Sequence, residues 1–179
     1  MTLTPEHRRA NRFDKLRRTA TQYQLGTYMA KFTAPSFQRM IRAEYGARLD
    51  GVPFVNSEGI LEIGFASSGQ VICVTCGKVG PWEGNYFGGQ FHTGHFLASR
   101  AASIVLEETN VAPQCAYCNK TGNGEQARYE VWMRHVHGQD EIDRLRRLKN
   151  TARQFTLDEL VELRIGYMDR ITAAKARMK

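Results

Sequence analysis

Gln70-Val-Ile-Cys73-Val-Thr-Cys76-Gly77 and Asn110-Val-Ala-Pro-Gln-Cys115-Ala-Tyr-Cys118-Asn119 hold all four cysteines of the 179-residue chain. Each stretch carries one Cys-x-x-Cys, a spacing that sets two sulfurs on one side of a tight turn. Cys76-Gly77 supplies the glycine such a turn favours. Four thiolates in two matched knuckles predict one tetrahedral structural Zn2+ held by Cys73, Cys76, Cys115 and Cys118. The alternative is two unrelated pairs, one of them a redox motif. A reducing compartment disfavours disulfides and leaves the thiols to a metal.

Residues 77–114 separate the knuckles, an interval longer than the ~15–20 residues of a simple zinc ribbon. Within it, Gln70–Val74 and Gln90–Phe96 read as short strands, and a hairpin opened by the first knuckle is the expected pairing. His95 then lies on the second strand, Asn110 precedes the second knuckle, and Asn119 follows it where a closing helix begins. An imidazole near pKa 6.5 can take a proton from water, and an amide oxygen can ligate a hard cation. Phosphodiester hydrolysis needs those parts, whereas a lone strand histidine is ordinarily structural.

Outside this core the pattern is helical. Residues 1–31 carry Arg8, Arg9, Arg12, Arg17 and Arg18 with apolar positions too sparse to define a face, so they read as a basic helix or arm. About Ser36–Tyr45 reads as a helix with Ser36 as N-cap. Helices are expected over about Glu125–His137 and Asp140–Leu148. A third, opened by the Thr156–Glu159 capping box, should run to about Ala176. The stripe of that last helix fits core packing or a dimer contact, and Trp82 and Trp132 read as core or loop anchors. The division follows: 1–59 a basic helical extension, 60–137 a zinc-stapled core, 138–179 a helical extension.

Composition limits the function. Lys and Arg number 25 against 18 Asp and Glu, a net charge of +7, with a pI near 9.4 and a mean hydropathy of −0.46. Such a chain attracts polyanions, nucleic acid foremost, although the same charge could serve solubility alone. No apolar run approaches the ~20 residues of a membrane span. The polar, basic first residues do not resemble a secretory signal, so a cytoplasmic location is expected. The Arg8–Arg18 and Arg144–Arg153 clusters, including Arg146 and Arg147, read as phosphate contacts or as solvated faces. Arg100 reads equally as a phosphate contact or a surface residue.

Taken together, Cys-x-x-Cys, Gly94-His-Phe96, Asn110-Val-Ala-Pro-Gln-Cys-Ala-Tyr-Cys-Asn119 and Tyr129-Glu130 resemble the phage Rap/NinG recombination-protein family. The wider pattern is similar to the HNH, or ββα-metal, nucleases and to their endonuclease VII group. The likeness covers about residues 70–135, is weaker in the helical tail, and does not reach residues 1–60. It implies an α+β fold, a small ββα-metal core stapled by a four-cysteine zinc site, with helical N- and C-terminal extensions. It also implies an endonuclease for branched recombination DNA, of Holliday-junction type, dependent on Mg2+ or Mn2+ and encoded by phage or prophage in a bacterial host. The alternative is a zinc-knuckle DNA-binding accessory without catalysis.

Carried over by residue, His95 takes the general-base position, Asn110 the amide that braces its loop, and Asn119 a metal-ligand position. Many HNH proteins place an acid or histidine just before the base; this chain has Gly94. The second metal ligand therefore falls to His92, Glu107 or Glu108, with His92 expected on the opposite strand face from His95. Paired nicks on a junction imply a homodimer by family analogy, and a recombinase or single-strand-binding protein would be a compatible partner.

Overall fold

In the computed structural model, residues 4–83, 91–98 and 101–178 are described. Arg100 and Gln90, the first residue of the expected second strand, lie outside them. The chain opens with α1 (Pro5–Ala20), whose N-cap Thr4 accepts a hydrogen bond from the His7 amide and whose first residue is proline. A short turn α2 (Leu25–Tyr28) runs through a π-helical segment, Met29–Thr33, into α3 (Ala34–Gly46). The widened turn precedes Pro35, which cannot donate within a regular helix. Ser36 is therefore inside a continuous helix, not its N-cap; its hydroxyl donates back to Phe32 O.

Three two-stranded antiparallel sheets follow. β1 (Val52–Val55) pairs with β2 (Leu61–Gly64), β3 (Gln70–Ile72) with β4 (Val79–Pro81), and β5 (Phe91–His95) with β6 (Val111–Cys115). This corrects the expected hairpin. The first knuckle closes its own β3–β4 hairpin, while the partner of β5 is the Asn110-to-Cys115 stretch, with Phe91 opposite Cys115 and His95 opposite Val111. Pro113 hides that strand from a sequence reading. It is tolerated because its carbonyl, not the missing N–H, is used: it accepts from the Val74 amide at 3.0 Å. That bond ties the two knuckle hairpins together.

Three helices close the chain: α4 (Gln126–Val136), α5 (Gln139–Lys149) and α6 (Leu157–Arg177), the last opened by the Thr156/Glu159 capping box. One apolar cluster joins Phe37, Met40 and Ile41 of α3 to Val71, Phe91 and Val111 of the sheets, to the cysteines, and to Tyr167, Ile171 and Ala174 of α6. A second buries Tyr129, Trp132, Ile142 and Leu145 against Val55, Phe96 and Ala112. A third packs Phe13, Leu16 and Ala20 of α1 against Leu160, Val161 and Ile165. The sparse apolar residues of α1 thus do form a face, and the α6 stripe is filled from within the chain.

Candidate functional site

The two knuckles are built by backbone first. Cys73 O accepts from the amides of Cys76 and Gly77, and the Cys73 amide donates to Lys78 O, so the turn folds back on itself. Gly77 sits at φ +73°, and a Cβ there would lie 2.4 Å from the Phe54 ring. The second knuckle begins at the end of β6 and winds into a π-helical turn, Tyr117–Thr121. The four sulfurs lie within 4.8 Å of one another, with Cys76 and Cys115 Sγ 3.8 Å apart. Bonds of about 2.3 Å to a tetrahedral Zn2+ place sulfurs about 3.8 Å apart, so spacing and donor set both fit that ion. The thiols already interact: Cys73, accepting a hydrogen bond from Cys76, is driven toward thiolate, while that bond holds Cys76 protonated and burial does the same for Cys118. A bound cation would draw all four into the thiolate form.

The antiparallel β5–β6 ladder, with Phe91 opposite Cys115, sets the start of β5 beside the turn after β6. His92, His95 and Asn119 line one cleft of about 400 Å³ together with Gln38, Arg42, Phe91 and Thr93. Asn119 Nδ2 lies 2.9 Å from His92 Nδ1. His92 and His95, three residues apart on β5, both line this cleft, so the opposite strand faces expected of them do not keep them out of one site. His95 Nε2 donates to Val105 O at 3.3 Å, which leaves Nδ1 with the lone pair. Burial lowers the His95 pKa despite that carbonyl, and burial followed by the nearby Lys120 and Arg42 lowers that of His92. Both rings are thereby biased toward the neutral form.

Asn110 is fully buried and clamps the chain just past His95. Its Oδ1 accepts from the Leu97 amide at 2.8 Å, its Nδ2 donates to Leu97 O at 3.1 Å, and its own carbonyl accepts from the Phe96 amide. Gly94 has an equally definite cause. A Cβ there would lie 2.0 Å from Gln114 Oε1, and Gln114 is held by bonds to Thr75 Oγ1 and Gly124 O. Tyr129 Oη also donates to Gly94 O. The buried glutamine occupies the space a side chain at position 94 would need.

The remaining expected residues are placed elsewhere. Glu107 pairs with Arg144 and Glu108 with Arg170, and both line a separate cleft of about 730 Å³ with Arg9 and Tyr167 rather than with His95. Arg9 pairs with Glu162 and Asp169, Arg12 with Asp169, Arg17 with Asp158, and Arg146 with Glu130 and Asp143. Arg8, Arg18 and Arg147 are exposed. Carboxylates thus neutralise much of the two basic clusters.

The cleft gains residues that the sequence reading missed. Gln38 and Arg42, one helical turn apart on α3, come from a segment that no motif links to β5. Lys149, at the end of α5, lines the continuation of the cleft past His95 and Asn119. Their only signal is that Gln38 and Arg42 flank the buried stripe of Phe37, Met40 and Ile41, which docks α3 on the strands.

No described helix is long and apolar enough to cross a membrane. No curated protein and no solved structure matches the chain. The family model described as bacteriophage lambda NinG protein matches residues 67–177, a span that holds both knuckles, β5, β6 and the last three helices. With more than half of its length inside that match, the chain belongs to the NinG family.

Proposed function

We propose that this NinG-family protein is a metal-dependent DNA endonuclease for branched recombination intermediates, built as an HNH-like ββα core around a structural Zn2+. The observation that carries the reading is the convergence of His95, His92 and Asn119 on one cleft beside the four-cysteine staple. In this reading His95 Nδ1 takes a proton from water as the water oxygen bonds to phosphorus. The bond from phosphorus to the leaving oxygen breaks, and solvent reprotonates that oxygen. Asn110 positions His95 by fixing Phe96 and Leu97. Asn119 Oδ1 and His92 would hold a divalent ion, Mg2+ or Mn2+, with water and phosphate oxygens completing its shell. Such an ion, when bound, supplies charge to offset the leaving oxygen.

The second reading, a DNA-binding recombination accessory without cleavage, has one observation in its favour. Among the described residues no carboxylate lines the cleft, and Mg2+ sites ordinarily use one or two. Cleavage of a labelled four-way junction beside linear duplex and single strand, in Mg2+, Mn2+ or EDTA, separates the two. The nuclease reading expects metal-dependent nicking of the junction that His95→Ala abolishes while DNA binding persists. Tight binding without cleavage in either metal establishes the accessory reading.

A further inference from the structure

Arg42 differs from the arginines that the composition draws attention to. It lies on α3, outside the residues that the family model covers, and its side chain reaches the cleft of His92, His95 and Asn119. Nε donates to Trp82 O at 3.2 Å and Nη1 to Thr93 Oγ1 at 3.1 Å. The Thr93 hydroxyl donates onward to Gln38 O at 2.7 Å. Arg42, Thr93 and Gln38 therefore form a chain of hydrogen bonds that locks the guanidinium to the strand carrying both histidines.

Those two bonds use two of the five N–H donors of a guanidinium. Arg9, Arg144 and Arg170 each hold a carboxylate, but no ion pair is formed by Arg42 among the described residues. The carboxylate that acts on it from nearby, Glu83, is itself paired with Arg39 and Lys175, and a partly buried cation without an ion-pair partner of its own is costly unless an anion completes it. A planar fork matches two oxygens of a phosphate better than any other side chain does. The same feature that is unfavourable in the free protein becomes a preformed anion seat.

We propose that Arg42 grips a backbone phosphate of the nucleic-acid strand lying in the cleft, and that α3 thereby supplies a substrate-binding residue to a site whose other residues come from β5 and the turn after β6. This rests on the DNA reading above. Its consequence is that residues 34–46 belong to the functional unit rather than to an appended arm. Thr93 acts as a positioning residue, setting the seat at a fixed place relative to His95.

The test compares wild type with Arg42→Ala, Arg42→Lys and Arg134→Ala, the last removing an equal charge from an exposed Arg134–Glu130 pair on α4. Dissociation constants for a fluorescent four-way junction are measured with Mg2+ and Mn2+ omitted and no chelator added, over a range of salt, with zinc content and circular dichroism as folding controls. The slope of log Kd on log salt should fall by about 0.9 in Arg42→Ala, one phosphate contact, and stay at the wild-type value in Arg134→Ala. Cleavage at junction concentrations below Kd should fall in Arg42→Ala by about the factor that the affinity does, because a grip made in both the bound and the transition state is lost from both. Arg42→Lys should keep the slope and cleave more slowly than wild type, because the charge remains and the fork is lost.

An unchanged slope in folded Arg42→Ala overturns the proposal, whatever the cleavage result. If that variant does not fold, Arg42→Lys decides: junction affinity and cleavage both equal to wild type overturn it. A wild-type protein that binds without cutting ends the nuclease reading, yet the slope still passes judgement on Arg42.

Discussion

The β5–β6 cleft and the seam between α1 and α6 are both dense in polar side chains, but they hold them under opposite conditions. Beside the cleft the polar groups are buried: Thr75, Asn110 and Gln114 are fully enclosed, and Thr93 nearly so. Along the seam the arginines and their carboxylates are about half exposed. Inside, an unmade hydrogen bond goes uncompensated by water, so each atom's place is determined. At the surface, water and salt substitute for a lost partner, and the pairs can be exchanged with little consequence. The difference teaches where position matters in this molecule, and mutation can break or sharpen it.

The sharpest break is at the sulfurs. Cys118→Ser removes one of four ligands from the element that joins β3–β4 to the end of β6, and structural zinc contributes on the order of 10 kcal/mol to folding in small zinc domains. Zinc per chain should fall below one, and the core should lose its cooperative unfolding by near-ultraviolet circular dichroism. Stoichiometric zinc with a wild-type melt would show that the cluster does not hold the ion. Next comes Asn110→Ala, which strips partners from both the amide and the carbonyl of Leu97. A loss of about 3 kcal/mol is expected in urea unfolding. A loss no larger than that of an exposed asparagine would refute the clamp.

Gly94→Ala probes the same interior by overfilling it. The new methyl would meet Gln114, and overpacking of this kind typically costs about 1–3 kcal/mol. Gln114→Ala removes the obstacle while forfeiting its bonds to Thr75 and Gly124. The double variant should therefore be more stable than the sum of the two singles, a coupling readable from a thermodynamic cycle. Strict additivity would mean that the glycine is not kept by the glutamine.

Which parts were legible in advance follows from the same contrast. The knuckles could be read because a metal site fixes residue type and spacing within a few positions. The α6 start could be read because a capping box is local. The partner of β5 could not, since Pro113 looks wrong for a strand until the carbonyl it offers to Val74 is seen. Arg42 could not, because the residues that matter to it, Thr93 and Trp82, lie far along the chain and no local pattern joins them. The charged clusters were the most conspicuous feature of the sequence, yet the carboxylates that pair with Arg9 and Arg17 lie on the distant α6. Net charge reports the polyanion and is silent on which arginine meets it.

The smallest effect tests that last point. Arg9 on α1 reaches Glu162 at 2.8 Å and Asp169 at 3.4 Å, with about half of its side chain exposed. Exposed pairs are typically worth no more than about 1 kcal/mol, and salt screens what they contribute. Arg9→Ala should therefore lower stability by less than about 1 kcal/mol at low ionic strength, and the deficit should shrink in about 1 M salt. Its effect on the salt slope of junction binding should be small as well, because a DNA phosphate must compete with two carboxylates already in place. A full unit of slope lost in Arg9→Ala would mean that DNA displaces Glu162 and Asp169, and that the seam opens to form part of the binding face. The α1–α6 pairs would then be a stand-in for substrate rather than a structural clasp, and the boundary between the determined interior and the exchangeable surface would have to be redrawn around α1.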